Sequence, residues 1–144
     1  KDIDFVFHCS NEISVRENSI NNNLIYYSDH RIWFKKKIID KSHLFWILLN
    51  NDNPCGIIRF ELSKKLDHLS YLIAKNNRGN KFGKKMIELA IKKKKQIRTN
   101  NIIAITLVKN EQSIKTLESC GFILHNKKKN LLNYIYKYKE HEKT

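Results

Sequence analysis

The spacing of apolar and polar residues predicts two helices in the first forty positions. Apolar residues over 2–17 share one face of a helix that Asp2 can cap. The polar, turn-rich stretch over 16–23 indicates a loop. Ser28 then offers an N-cap for a second helix over 30–39, whose apolar and basic residues separate onto opposite faces.

The rest of the chain predicts six strands and two further helices. Apolar runs bounded by turn residues, or residues of alternating polarity, indicate strands at 44–49, 56–62, 68–74, 102–108, 122–125 and 131–138. The helices between them are predicted at 84–96 and 110–120, and Gly121 ends the second. This order is typical of an α+β domain with a central mixed sheet.

Composition bounds the function without deciding it. A chain of 144 residues with 41% apolar residues fits one folded domain over 1–144. The net charge of +14 favours anionic partners, such as nucleic acid or a nucleotide-bearing small molecule, but a solvated Lys-rich surface explains it equally well. The apolar runs are too short to cross a bilayer and no signal peptide opens the chain, so we expect no membrane partner.

The three cysteines, Cys9, Cys55 and Cys120, are widely separated and odd in number. They form neither a CxxC motif nor a Cys/His metal spacing. We therefore expect free thiols, a cytoplasmic protein and no metal site.

The segment from Asn77 to Lys84 lies between a predicted strand and a predicted helix. Backbone N–H groups and the positive end of the helix dipole meet there, which suits a phosphate or pyrophosphate. Gly79 and Gly83 let the backbone approach closely. The spacing matches neither a Walker A loop nor a dinucleotide fingerprint, and a glycine-containing turn before an ordinary basic helix is the alternative. The cations near this loop are Arg78, Lys81, Lys84 and Lys85.

The same segment resembles motif A of the GCN5-related N-acetyltransferases, R/Q-x-x-G-x-G/A. Arg78 and Gly83 match its ends, whereas Lys81 stands where the middle glycine is usual. A non-glycine residue is strained there if the position needs positive φ. Because the pyrophosphate contacts come mainly from backbone N–H groups, we expect binding to survive.

A second stretch, from Asn110 to Phe122, resembles that family's pattern of Asn, Ser/Ala and a closing Gly-Phe. The resemblance covers essentially the whole chain. It implies a mostly antiparallel mixed sheet flanked by helices and splayed between the family's fourth strand (68–74) and fifth strand (102–108). The family's first strand should precede the first helix, so we expect it to be missing or to lie upstream of Lys1.

The resemblance also implies an acyltransferase that uses acetyl-CoA. In this fold the thioester lies in the gap between the splayed strands, and a backbone N–H around Leu72 or Ile73 would stabilise the oxyanion. The residues predicted to bind the cofactor are Leu72, Ile73, Arg78, Gly79, Asn80, Lys81, Phe82, Gly83, Lys84, Asn110, Ser113 and Lys115.

His68 is the preferred general base, since it stands on the fourth strand and a histidine side chain can accept a proton near neutrality. An exposed histidine without a role is the alternative, and Glu61 on the neighbouring strand is the reserve. The family's usual general acid, a tyrosine, is replaced by Leu117. Water, Ser113 or a tyrosine near the C-terminus would then protonate the thiolate, unless the step needs no dedicated acid.

The acceptor is chosen by the N-terminal half in this family. The stretches 15–20, 28–34 and 56–60 resemble acetyltransferases of nucleotide-sugar pathways, notably pseudaminic acid biosynthesis. This resemblance implies a small-molecule amine acceptor on a UDP-linked amino sugar, with a fused partner domain or a homodimer as further expectations. Ordinary loop caps and surface charges are the alternative for each residue. The predicted acceptor-binding residues are Arg16, Asn18, His30 and Arg59.

Two other functions compete with this one. A protein or peptide N-acetyltransferase would want an acidic peptide groove, which a basic surface does not favour. A non-catalytic nucleic-acid-binding module is suggested by charge alone, and the chain lacks both an aromatic-basic stacking motif and a helix-turn-helix signature. We therefore expect nucleic acid not to be the partner.

Overall fold

The computed structural model describes residues 1–139. Its first helical segment divides into α1 (Asp2–Ser10) and α2 (Ile13–Glu17), so the continuous helix predicted over 2–17 is wrong. The division occurs because Glu12 caps a new helix, its Oε2 accepting from the N–H of Val15 at 3.3 Å. Asp2 is the first helical residue and not the cap.

The third helix, α3, spans Tyr27–Ile39 and begins three residues before its predicted start. Tyr26 occupies the N-cap position without a side-chain hydrogen bond, so Ser28 is not the cap. Tertiary packing stabilises the earlier start instead. His30 and Phe34 are buried, and α3 contacts both α1 and the sheet, so extending the helix toward its N-terminus adds to these contacts.

Six strands form one sheet in the order β1-β2-β3-β4-β6-β5. The pair β3–β4 is parallel and the other four pairs are antiparallel, which confirms the predicted α+β class and its mostly antiparallel mixed sheet. The strands are β1 (His43–Asn50), β2 (Asn53–Glu61), β3 (Leu66–Ile73), β4 (Asn101–Leu107), β5 (Ile123–Lys128) and β6 (Leu131–Tyr136). Between them lie a 3-10 turn (Lys75–Asn77), α4 (Phe82–Lys95) and α5 (Glu111–Ser119).

Strands β3 and β4 pair over only half of their length. Their register runs from Leu66 opposite Asn101 to Leu69 opposite Ala104 and stops there. The remaining residues of both strands diverge, so a gap opens in the middle of the sheet. The predicted splay between these strands is confirmed.

Helices cover both faces of the sheet. On one face, α4 and α5 pack over the larger core, which includes Ile58, Phe60, Ile87 and Leu117. On the other face, α1 and α3 enclose a smaller core of Val6, Phe34 and Ile57. The gap between β3 and β4 therefore lies between two helical layers.

A buried ion pair closes the end of β3 opposite the gap. Lys94 Nζ lies 2.8 Å from Asp67 Oδ2 and neither side chain is exposed. Arg98 Nε is 3.3 Å from the same oxygen, and Lys94 also donates to the carbonyl of Asn100 at 2.9 Å. These contacts offset part of the desolvation of the two charges, and burial still lowers the pKa of Lys94.

Between residues 1 and 139, no helix combines the length and the apolar character needed to cross a bilayer. In that same part of the chain no cluster of three or more His, Cys, Asp or Glu side chains is placed to hold a metal ion. All three cysteines are free thiols.

Candidate active site

The first turn of α4 leaves backbone N–H groups without an intrahelical partner, as at any helix N-terminus. Gly79 has φ +84° and Lys81 has φ +59°, so the lysine occupies the left-handed conformation that the usual glycine would adopt freely. Lys81 is the N-cap of α4 but makes no side-chain cap hydrogen bond, and the first turn carries no acidic residue. This end of α4 therefore suits an anion.

Arg78 ties this loop to α2. Its Nε donates to the carbonyl of Ile73 at 3.0 Å, Nη1 to Ser14 Oγ at 2.7 Å, and Nη2 to Glu12 Oε2 at 3.1 Å. Hydrogen bonds from Ser14 and Arg78 hold the pKa of Glu12 at about 2. The guanidinium that was predicted to meet the cofactor is thus held by protein groups.

A first cavity of about 920 Å³ runs from this loop to α5. Eleven of the twelve predicted cofactor residues line it. The exception is Asn80, whose amide lies 3.4 Å from the carbonyl of Asn77. The cavity is also lined by residues that were not predicted from the sequence, namely Ser14, Val15, Ser19, Tyr71, Asn77, Gln112, Thr116 and Ser119.

The two side chains at the start of α5 face the gap. Asn110 caps the helix, its Oδ1 accepting from the N–H of Ser113 at 3.3 Å. Its amide nitrogen has no hydrogen bond to residues 1–139 and is free to meet a ligand. Ser113 Oγ lies 2.9 Å from Tyr71 Oη, so a pair of hydroxyls bridges β3 and α5 at the edge of the gap.

The strand register decides which backbone N–H faces the gap. The N–H of Ala74 donates to the carbonyl oxygen of Cys55 on β2 at 2.8 Å. Leu72, two residues earlier, lies opposite Ile57 in the same antiparallel pairing of β2 and β3. Because N–H groups alternate in direction along an antiparallel strand, Leu72 also points its N–H toward β2. Ile73 points its N–H the other way, so of the two predicted oxyanion donors Ile73 has the right direction.

A second cavity of about 690 Å³ lies on the opposite face, between the sheet and α1–α3. All four predicted acceptor residues line it. It joins the first cavity at the gap, as an amine attacking a thioester requires. The residues that line both cavities are Val15, Asn18, Ser19, Tyr71, Leu72, Asn110 and Ser113.

Two of the predicted acceptor residues hold the fold of this cavity. Arg16 donates to three backbone carbonyls between 2.6 and 3.2 Å and lies 3.3 Å from Ser19 Oγ, so it fixes the loop after α2. His30 is buried, and its Nε2 lies 3.0 Å from the carbonyl of Ile3. Burial lowers the pKa of His30, which keeps the ring neutral near pH 7.

The other two are placed differently. Asn18 is exposed at the end of α2 and donates to the carbonyl of Ser14 at 2.9 Å. Arg59 is half-buried on β2, with its guanidinium carbon 5.3 Å from the centre of the Trp33 ring. It donates no hydrogen bond to any residue in the described range. Arg59 is therefore a cation with unused donors inside the second cavity.

The structure places the predicted catalytic pair elsewhere. His68 is exposed and lies opposite Glu61 and Ile103, in the part of β3 that pairs on both sides. Among the residues that the structure describes, neither His68 nor Glu61 lines either cavity. Leu117, at the usual position of the acid, is 1% exposed and packs in the larger core.

A family comparison agrees with this geometry. The sequence-family model of the acetyltransferase (GNAT) domain matches residues 1–123. The chain belongs to the GNAT acetyltransferase family. It is accordingly an acetyl-CoA-dependent acyltransferase, with acetyl-CoA as the acetyl donor. A comparison with curated protein sequences gave no match.

Solved structures support the fold. A domain from Methanocaldococcus jannaschii superposes with a TM-score of 0.82 at 21% identity, covering 95% of this chain and 92% of that one. Spermidine N-acetyltransferase from Vibrio cholerae, in complex with CoA and spermine, gives 0.80 at 15% identity and 93% and 87% coverage. The Campylobacter jejuni N-acetyltransferase PseH, in complex with acetyl coenzyme A, gives 0.75 at 16% identity and 96% and 91% coverage.

Proposed function

We propose that this acetyltransferase acts in the cytoplasm and transfers the acetyl group of acetyl-CoA to the primary amine of a nucleotide-linked amino sugar. The pyrophosphate of the donor binds at the N-terminus of α4, and the pantetheine arm follows the first cavity to the gap. The acceptor enters from the second cavity. This arrangement brings the amine and the thioester together where the two cavities meet.

The half-buried guanidinium of Arg59, with its unused donors in the second cavity, favours an anionic acceptor. The guanidinium presents five N–H donors in a geometry that matches phosphate or carboxylate oxygens. A polyamine acceptor carries positive charges, which the half-buried guanidinium of Arg59 would repel. The ring of Trp33 beside it offers an apolar face to a sugar or a base. A nucleotide sugar satisfies both groups, because it carries phosphates as well as flat or apolar faces.

The backbone of Ile73 supplies the electrostatic part of the reaction. When the amine attacks the thioester carbon, negative charge develops on the carbonyl oxygen. An N–H aimed into the gap stabilises that charge in a site partly shielded from water. Asn110 holds the pantetheine through its free amide nitrogen, which orients the thioester toward the second cavity.

A thiol-release assay with a panel of acceptors tests the proposal. UDP-4-amino sugars, acetylatable peptides and spermidine are compared at saturating acetyl-CoA, and the UDP-linked amine is expected to have the highest kcat/KM. Arg59→Met should raise KM for that acceptor about 10–100-fold, the equivalent of one lost charged hydrogen bond, and leave KM for acetyl-CoA unchanged.

Arg31→Met is the matched control. Arg31 is an exposed arginine on α3 that lines neither cavity, so its replacement removes the same charge without touching the site. Spermidine or a peptide as the best substrate would contradict the proposal. Equal effects of the two arginine variants would remove Arg59 from acceptor recognition.

A further inference from the structure

The hydroxyl pair of Tyr71 and Ser113 occupies the junction of the two cavities. The two oxygens are 2.9 Å apart, and both side chains line both cavities. Tyr71 is on β3, two residues before Ile73, the donor proposed for the oxyanion. The pair therefore lies beside the place where the thioester carbon would react.

Acetyl transfer leaves a thiolate that must gain a proton. The side chain at the family's usual acid position, Leu117, has no proton to give and is packed in the core. Two nearby hydroxyls are committed to backbone carbonyls: Thr116 donates to Gln112 at 2.8 Å and Ser19 to Val15 at 2.5 Å. Tyr71 and Ser113 share one hydrogen bond, and the Tyr71 hydroxyl is also in hydrogen-bond contact with Thr116. When Ser113 donates to Tyr71, the phenol proton is available to a ligand.

We propose that Tyr71 protonates the leaving thiolate of CoA and that Ser113 holds the phenol at the junction. The amine nitrogen forms a bond to the carbonyl carbon and the C–S bond breaks, with its electron pair going to sulfur. Sulfur takes the proton of Tyr71 Oη. The nitrogen releases its extra proton to solvent, and the phenolate regains one from solvent.

The surroundings of Tyr71 suit this step. Burial raises the pKa of Tyr71, so the phenol keeps its proton throughout the neutral range. A phenol is also a much stronger acid than a serine hydroxyl, which makes Tyr71 the donor and Ser113 the positioning residue.

The inference rests on the proposed placement of pantetheine in the first cavity, and the test separates the two claims. Calorimetry first measures CoA binding to the parent and to Tyr71→Phe. The ultraviolet difference between the CoA and desulfo-CoA complexes then reports the titration of the bound thiol without any acceptor. Loss of a phenol hydrogen bond to the thiolate should raise the thiol pKa in Tyr71→Phe by about one unit or more.

Kinetics with the acceptor found by the thiol-release panel complete the test. Tyr71→Phe should lower kcat about 100-fold or more while KM for acetyl-CoA changes less than about threefold. Ser113→Ala should give a smaller loss of kcat in the same direction. Tyr134→Phe is the control, since Tyr134 is a buried tyrosine whose Oη lies 3.4 Å from Glu118 and which lines neither cavity.

Normal CoA binding with an unchanged thiol titration and an unchanged kcat in Tyr71→Phe would overturn the role of Tyr71 alone. Failure of the parent to bind CoA would overturn the placement of the cofactor, and the inference with it. Equal losses in Tyr71→Phe and Tyr134→Phe would also overturn it, because they would show a general effect of removing a buried hydroxyl.

Discussion

Replacing Lys81 by glycine measures the backbone strain in the loop before α4. Lys81 has φ +59°, and the left-handed conformation costs an L-residue roughly 1–2 kcal/mol. Glycine adopts it freely but loses about 0.5–1 kcal/mol more backbone entropy on folding. We therefore expect Lys81→Gly to stabilise the protein by about 0.5–1 kcal/mol. For a chain of this size that corresponds to a rise in Tm of roughly 1–4 °C.

Thermal and urea denaturation without ligand would measure this change, with Lys85→Gly as the control. Lys85 is exposed on the same basic end of α4, but it is helical, so glycine there should destabilise the protein by about 1 kcal/mol. Both variants lose one exposed cation, which leaves the backbone conformation as the difference between them. Destabilisation by both variants would refute the interpretation of strain.

Three further predictions concern other parts of the molecule. Asp67→Asn leaves Lys94 as an uncompensated buried cation and should lower the free energy of unfolding by about 3–5 kcal/mol in urea denaturation. The pKa of Glu12 is about 2 against its usual 4.5, so this carboxylate stabilises the fold above pH 4.5, and that stabilisation is lost as the pH falls toward 2. In Glu12→Gln the Tm should therefore fall less between pH 4.5 and pH 2 than in the parent. His68→Gln should retain the parent's pH–rate profile and kcat/KM, because His68 lies outside both cavities. Loss of the rise in activity on the acid side of the profile would return His68 to the mechanism as the base.

The sequence predicted the fold because its signals are local. Period-two alternation marks β3, and the two motifs lie at the starts of α4 and α5, where backbone conformation follows from nearby residues. Helix starts were less predictable. Ser28 is a good N-cap residue by type, yet burial of Phe34 and contact with α1 begin α3 earlier. Glu12 begins a separate helix, α2, as its N-cap, and the sequence signal for this cap, Glu-x-Ser-Val, was present but unused.

The loop before α4 was predictable for the same local reason, whereas the arrangement of side chains at the gap depends on distant partners. Tyr71 and Ser113 are 42 positions apart, and only the register of the sheet brings their hydroxyls together. His68 lies on the predicted strand, but the sequence does not show that β3 and β4 stay paired as far as Leu69. Under the proposed role of Tyr71, the acid lies just beyond that point, where β3 has left β4.

The hydrogen bonds of Arg78 join the loop before α4 to α2. An anion that binds the guanidinium of Arg78 at the loop would compete with Glu12 and Ser14 for its N–H donors. Binding at the loop would then weaken the contacts that Arg78 makes with α2. Asn18 ends that helix and lines the second cavity. By reciprocity, whatever factor one substrate imposes on the affinity of the other must act equally in return. If the two substrates bind as proposed, the dissociation constant of each is expected to depend on whether the other is bound.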